Sequence, residues 1–379
     1  VTSPAPALPL AGVTVLDVSR MLPGAVLARS LVDLGARVIK IEDPRSGDLM
    51  RLAPPLVGGI GVGFCVYYRG TESVGLDLRD PDGAAALRLL AGRADVLIES
   101  FRPGTMERYG LATSALRAAN PRLVVCSLPG FLGNAEVGHD LNFTALTGFL
   151  REVTPQGIPA LQIADVTSGL LASTSILAAL LQRHRSGEGC ELRQPLLAGP
   201  LPFVTWAASE VAAGGGGMAS TMLGGAIAAY RCYRCGDGLE LAVGCLEPKF
   251  WIAFATLVGR PELAGSGLDP SPDGASTVTA MQAWLASEPR AHWLAKVAGH
   301  ALPVWPVHTL AEAANEPTLA PLREATPMPD GSTLATAGPS LPGLGRTPTT
   351  PAPALGAHTA AVLTEFGAPA ELIARLTDT

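Results

Sequence analysis

Val13 to Val18 is a largely apolar run bounded by polar residues, and it predicts a buried strand. A helical pattern of apolar positions follows from Ala25 to Leu34, after a turn at Pro23-Gly24. Gly35 separates it from a second apolar strand, Arg37 to Ile41. Strand, helix and strand in this order form a β-α-β unit, the seed of a parallel sheet. The alternation continues with a strand at Val74 to Leu78 and a helix over Pro81 to Gly92, with Asp80 as its N-cap. Another strand runs from Val96 to Glu99, and Arg102-Pro103-Gly104 turns into a short helix. Leu123 to Ser127 is again a buried strand, and Gly130 breaks the chain before two apolar helices, Asn142 to Leu150 and Asp165 to His184.

From Ser186 the pattern changes. Gly187 to Cys190 is a turn, residues 191 to 213 are mixed, and Gly214 to Gly217 is a run of glycines suited to a linker or a close backbone approach. Tyr230 to Leu246 predicts a hairpin that turns at Gly236-Asp237-Gly238. Helices are expected over 247 to 258 and 279 to 298, and a last amphipathic one over Ala357 to Leu376. Residues 315 to 355 carry nine prolines and no period, so they read as a long return connection. The predicted organisation is a large α/β domain from 1 to 188, a linker at 189 to 225 and a small domain at 226 to 305. A return linker at 306 to 355 and a C-terminal helix at 356 to 379 then rejoin the large domain.

Composition narrows the function more than the fold. The chain has 379 residues, 48% of them hydrophobic and 16% charged, which describes a compact protein and not a disordered one. A net charge of −6 without basic blocks excludes a nucleic-acid binder of the usual kind. Six cysteines are scattered, and the Cys232-Tyr-Arg-Cys235 pair lacks partners for a metal site, so it reads as packing. No leader is recognised, and the apolar stretch Leu170 to Leu181 is too short to span a membrane, so a cytoplasmic protein is expected. The loop Ser19 to Gly24 is not Gly-x-Gly-x-x-Gly, which excludes the nicotinamide reading of the first β-α-β unit.

The stretch with candidate chemistry is Gly138-His139-Asp140-Leu141-Asn142-Phe143, where two groups of different pKa stand side by side. Taken alone, the pair marks a surface or satisfied core histidine more often than a proton-transfer site. Four longer strings give it context: residues 10 to 20 (Leu-Ala-Gly-Val-Thr-Val-Leu-Asp-Val-Ser-Arg), 34 to 42 (Leu-Gly-Ala-Arg-Val-Ile-Lys-Ile-Glu), 94 to 111 (Ala-Asp-Val-Leu-Ile-Glu-Ser-Phe-Arg-Pro-Gly-Thr-Met-Glu-Arg-Tyr-Gly-Leu) and 120 to 127. With them the chain resembles the family III CoA-transferases. The Gly-His-Asp string and the hairpin string 229 to 250, which ends in Glu247-Pro248-Lys249-Phe250, are most similar to the alpha-methylacyl-CoA racemase branch.

That resemblance implies a Rossmann-like parallel-sheet domain with a smaller α+β domain, in an interlocked homodimer. It implies proton exchange at the α-carbon of a 2-methyl-branched acyl-CoA, with His139 and Asp165 as acid/bases on opposite faces and Glu247 supporting His139. Backbone N–H groups at the start of the helix opened by Asp165 would take the thioester oxygen. Asp140 either caps the helix that follows it and orients the site or, as in the transferases, attacks as a nucleophile to give an aspartyl-CoA thioester. The resemblance places CoA near Met21, Leu22, Lys40, Arg69, Phe101, Arg102 and Arg108, with CoA thioester as substrate and no metal or other cofactor.

Three stretches depart from the family. Tyr68-Arg69-Gly70-Thr71-Glu72-Ser73 stands where Asn-Arg-Gly-Lys-Arg-Ser is usual, which weighs against a strong grip on CoA phosphates. The loop 132 to 137 replaces a Gly-Pro segment, and Arg193 and Ala198 stand where aspartates are common. The alternatives are therefore a CoA-transferase acting through Asp140, and a non-catalytic or carrier-thioester-binding member of the fold.

Overall fold

The computed structural model describes residues 8–133, 136–153, 159–217, 221–338 and 350–377. The chain divides into two compact units: residues up to Pro202 together with those from Ala320 onward, and Phe203–Leu319. The interval 189 to 225, expected as a linker, is thus shared between the two units. The second unit is wider than the small domain predicted at 226 to 305.

The first unit is built on six parallel strands: β1 (Thr14–Asp17), β2 (Arg37–Glu42), β3 (Glu72–Gly75), β4 (Val96–Glu99), β5 (Val124–Ser127) and β6 (Glu191–Arg193). Their spatial order is β3-β2-β1-β4-β5-β6, all parallel, so the direction of winding reverses between β1 and β4. Alternate residues of each strand face opposite sides. Val15, Val38, Val96 and Val124 join one core with Leu27, Leu31 and Ile176. Leu16, Ile39, Leu97 and Val125 join the other with Leu87, Leu90 and Phe366. Helices α1 (Met21–Asp33) and α4 (Ile163–Ser186) cover the first face, and α2 (Pro81–Ala91) lies on the second. Asp80 caps α2 through the Asp82 N–H, as its sequence predicts. The close crossing of α1 and α4 explains Gly169. A Cβ there would lie 2.6 Å from the Pro23 carbonyl and 2.9 Å from Val26 Cβ.

By length and hydropathy α4 would pass as a membrane span, which the interrupted Leu170 to Leu181 stretch had not suggested. Ala164, Ser168, Gly169, Ala172, Ser173, Ile176 and Ala179 along one side are nonetheless buried within the unit.

Several elements differ from expectation. Pro23-Gly24 lies inside α1, not in a turn. Proline is tolerated in a first helical turn because its missing N–H would have no partner there, and a Cβ on Gly24 would collide with Ser19. The helix expected at 142 to 150 is two, α3 (Asp140–Leu146) and Phe149–Val153, split at Gly148 with φ of +80°. The one expected at 279 to 298 is Pro272–Leu285 and Arg290–Val297, parted by Pro289. The last one is Thr359–Glu365 and Ala370–Thr377, parted by Gly367. The return connection contains a hairpin, Arg323–Pro327 with Thr333–Ala337. Its Glu324 pairs with Arg29 at 3.1 Å and also with Arg69.

In the second unit, β7 (Tyr230–Arg234) and β8 (Glu240–Gly244) form the predicted antiparallel hairpin, and Val304–Pro306 adds a third strand beside β8. Helix α5 (Pro248–Leu257) follows, with Trp251 and Phe254 in the core of this unit.

Candidate active site

Ligands of open parallel sheets bind at the carboxyl ends of the strands where the winding reverses. Here that point lies between β1 and β4, and the loops leaving the two strands meet there. The Arg20 N–H donates to Ser100 Oγ at 2.9 Å, and the Arg20 guanidinium lies 5.5 Å from the centre of the Phe101 ring. Beyond them opens a cleft of about 290 Å³ whose walls include Arg20, Met21, Phe101, Arg102, His139 and Asp165. The sequence-predicted acid/bases His139 and Asp165, 26 residues apart in the chain, thus share one cavity with three of the residues expected near CoA.

His139 is the N-cap residue of α3, with extended backbone, and its N–H donates to Asn142 Oδ1 at 3.0 Å. Gly138 before it is required by packing. A Cβ would sit 2.9 Å from the buried Phe143 ring and 3.4 Å from Phe131. These two rings meet edge to face at 5.4 Å and floor the His-Asp turn.

Asp140 points away from its own helix. Its Oδ1 accepts the backbone N–H of Asp165 at 3.0 Å, so the carboxylate of α3 satisfies one of the orphan donors in the first turn of α4. The side chain of Gln162 does not cap that turn. The N–H of Asp165, a candidate donor to a thioester oxygen, is therefore already engaged. Asp165 itself is half-buried. Burial, and then the neighbouring Asp140 carboxylate, push its pKa up from 3.8 to about 6, against a smaller lowering by His139. A carboxyl group at that value exchanges protons readily near neutral pH.

A buried polar network lies under the β1 loop. Lys40 is 0% exposed, and its Nζ donates to Ser19 O at 2.5 Å and pairs with Asp48 Oδ2 at 3.2 Å and Asp17 Oδ2 at 3.4 Å. The Tyr68 ring covers the ammonium at 4.8 Å while its hydroxyl donates to Asp17 Oδ2 at 3.2 Å. Burial works against the charge on Lys40, but Asp17, Asp48 and Glu42 outweigh it and raise its pKa. Burial raises Asp17 in turn, and Tyr68 is held well above the usual phenol range. Asp17, Asp48 and Tyr68 were not among the predicted site residues.

The remaining predicted residues fall in different places. Met21 opens α1 with a φ of +63°, its N–H 3.3 Å from Asp48 Oδ2 and its side chain exposed; Leu22 packs on the core beneath. Arg102 and Arg108 are exposed, and Arg108 donates to Thr105 Oγ1 at 2.9 Å. Arg69 is buried against Glu324, and Lys40 is enclosed as described, so neither cation is open to a ligand in this structure. Thr71 donates to the Tyr68 carbonyl at 2.8 Å. Glu72 pairs with Arg37 at 2.8 Å at the amino end of the sheet, so the charge reversal in this segment lies away from the cleft. Glu247 is exposed at the N-cap of α5 in the second unit, whereas His139, Asp140 and Asp165 belong to the first. Arg193 pairs with Glu191 at 2.9 Å.

The family model for CoA-transferase family III matches residues 10–359. The chain is 31% identical to the alpha-methylacyl-CoA racemase of Homo sapiens, over 97% of this chain and 96% of that protein. It is also 31% identical to the acetyl-CoA:oxalate CoA-transferase of Acetobacter aceti, over 84% of this chain and 86% of that one. Among solved structures, a CAIB/BAIF family protein from Brucella suis superposes with a TM-score of 0.83 at 27% identity, covering 95% of this chain and all of that one.

Proposed function

Because the chain belongs to CoA-transferase family III, we propose that it is an acyl-CoA racemase or isomerase acting on 2-methyl-branched acyl thioesters. His139 and Asp165 are its two acid/bases. One removes the α-proton as a base while the other returns a proton to the opposite face. The enolate oxygen is stabilised by backbone N–H groups at the starts of α3 and α4 other than those of His139 and Asp165, which are already engaged, and the Asp140–Asp165 hydrogen bond brings these two helix ends together. Arg20, Phe101, Arg102 and Arg108 receive the CoA portion. No bond to the protein forms in this cycle. The α-C–H electron pair delocalises into the thioester and returns when the second acid delivers its proton.

The observation that carries this reading is the engagement of Asp140. Its carboxylate is held by the Asp165 N–H, and Asp165 sits beside it with a raised pKa. This favours orientation over nucleophilic attack. Glu247 supports His139 in this proposal from the second unit of a partner chain, in an interlocked homodimer. The exposed Leu170 and Leu181 of α4 are apolar surface that such an assembly would cover.

Incubation of 2-methylacyl-CoA esters in deuterated water tests the proposal. The expected outcome is α-deuterium uptake that disappears in His139→Ala and in Asp165→Ala but persists in Asp140→Ala. A hydroxylamine-sensitive adduct trapped on Asp140 would establish the transferase chemistry instead.

A further inference from the structure

We infer that Lys40 is a positioning residue: buried between β1 and the Asp48 turn, it holds the Ser19–Met21 loop in the shape that forms one wall of the acid/base cleft. This rests on the proposed acid/base reading of that cleft. A lysine ammonium has three donors, and three acceptors surround this one: Ser19 O, Asp48 Oδ2 and Asp17 Oδ2. The Tyr68 ring closes the remaining side. With no exposed surface and no donor left over, Lys40 is committed to the protein.

Each of its partners leads into the same loop. Ser19 O belongs to it. Asp17 Oδ1 accepts both the Ser19 N–H at 2.8 Å and the Ser19 hydroxyl at 2.5 Å. Asp48 Oδ2, beside Lys40 Nζ, is also the acceptor nearest the Met21 N–H. Met21 is the one residue other than glycine with positive φ among the described residues. A left-handed conformation is unfavourable for a side chain of that size and persists only where the surroundings over-determine it. Gly24, one turn on, lies so close to Ser19 that a Cβ would overlap its hydroxyl. Strain and close packing thus sit on the exposed side of the network, where Arg20, Met21 and Pro23 face His139 and Asp165. Removing the ammonium would leave Asp17 and Asp48 facing each other without a cation and free the loop to relax, moving the wall against which the thioester is aligned.

The test compares Lys40→Met and Tyr68→Phe with wild type on a 2-methylacyl-CoA and on the same acyl group carried by phosphopantetheine, which lacks the nucleotide. α-Deuterium exchange supplies kcat and KM. The isotope-labelled methyl signal of Met21, assigned with Met21→Leu, reports the loop without reference to activity. Lys40→Met is expected to lower kcat by about a hundredfold on both substrates alike, the order of loss a displacement of about 1 Å produces, and to move the Met21 signal. Tyr68→Phe should show the same pattern, smaller. A loss confined to the CoA ester and seen in KM would make Lys40 a nucleotide contact and overturn the inference. An unchanged Met21 signal, with or without loss of activity, would overturn it too. If Lys40→Met does not fold, Tyr68→Phe and its Met21 signal decide. If wild type exchanges neither ester, the proposed reaction fails while the Met21 signal still judges the loop.

Discussion

Asp165 should give kcat/KM the same acid limb for both substrate enantiomers. With a pKa of about 6 in place of 3.8, it is largely ionised at pH 7 and largely protonated at pH 5. In either direction one member of the Asp165–His139 pair removes a proton while the other donates one, so the active enzyme carries a single proton on the pair for both enantiomers. Protonating Asp165 as well as His139 removes the base, and kcat/KM must fall about tenfold per pH unit below about 6 for each. Burial is the largest cause of the shift and the Asp140 carboxylate the second, with His139 opposing both. Asp140→Asn removes the second cause and leaves the first. It should therefore move the Asp165 limb downward without returning it to the ordinary carboxylate value. The assay is α-deuterium exchange at trace substrate, from pH 4.5 to 9, for each enantiomer separately. Exchange that stays level from about pH 6 down to 4.5 for both enantiomers would refute the assignment of Asp165 as an acid/base. A limb that stays in place or rises in Asp140→Asn would refute the electrostatic account of its pKa.

Two further substitutions test the supports of the site. Gly138→Ala places a Cβ 2.9 Å from the buried Phe143 ring; a loss of about 1–3 kcal/mol in thermal or urea unfolding, with reduced exchange, is expected, and wild-type behaviour would show that the ring yields. Glu324→Ala leaves Arg69 and one side of Arg29 without their half-buried carboxylate; unfolding should show a loss of about 3–5 kcal/mol, while a loss below about 1 kcal/mol would mean that Asp33, which also pairs with Arg29, compensates.

The parallel sheet was legible in the chain because its strands are short apolar runs separated by helical periods, and β4 begins and ends where its sequence predicts. The helix breaks were not. Apolar spacing continues across Gly148, Pro289 and Gly367, and periodicity alone cannot weigh one residue against the run around it. His139, Asp140 and Asp165 were found through strings of resemblance, since no local pattern joins residues 26 positions apart. The network under the loop was missed because its members come from β1, β2, the Asp48 turn and Tyr68. One signal could have pointed to it. A lysine between Ile39 and Ile41 in a strand covered on both faces requires a buried counter-ion, and the parallel register sets Asp17 beside it.

The hydrogen bond from the Asp165 N–H to Asp140 also bears on how such chemistries diverge. Only Oδ1 accepts that N–H, and a carboxylate has a second oxygen with lone pairs of its own. The bond therefore fixes how Asp140 is turned without consuming it. Swinging Oδ1 onto a thioester would leave the Asp165 N–H unsatisfied at a cost of about 1–3 kcal/mol, whereas attack through Oδ2 would keep it. Isomerase and transferase are then neighbouring settings of one scaffold, separated by which way a single carboxylate turns.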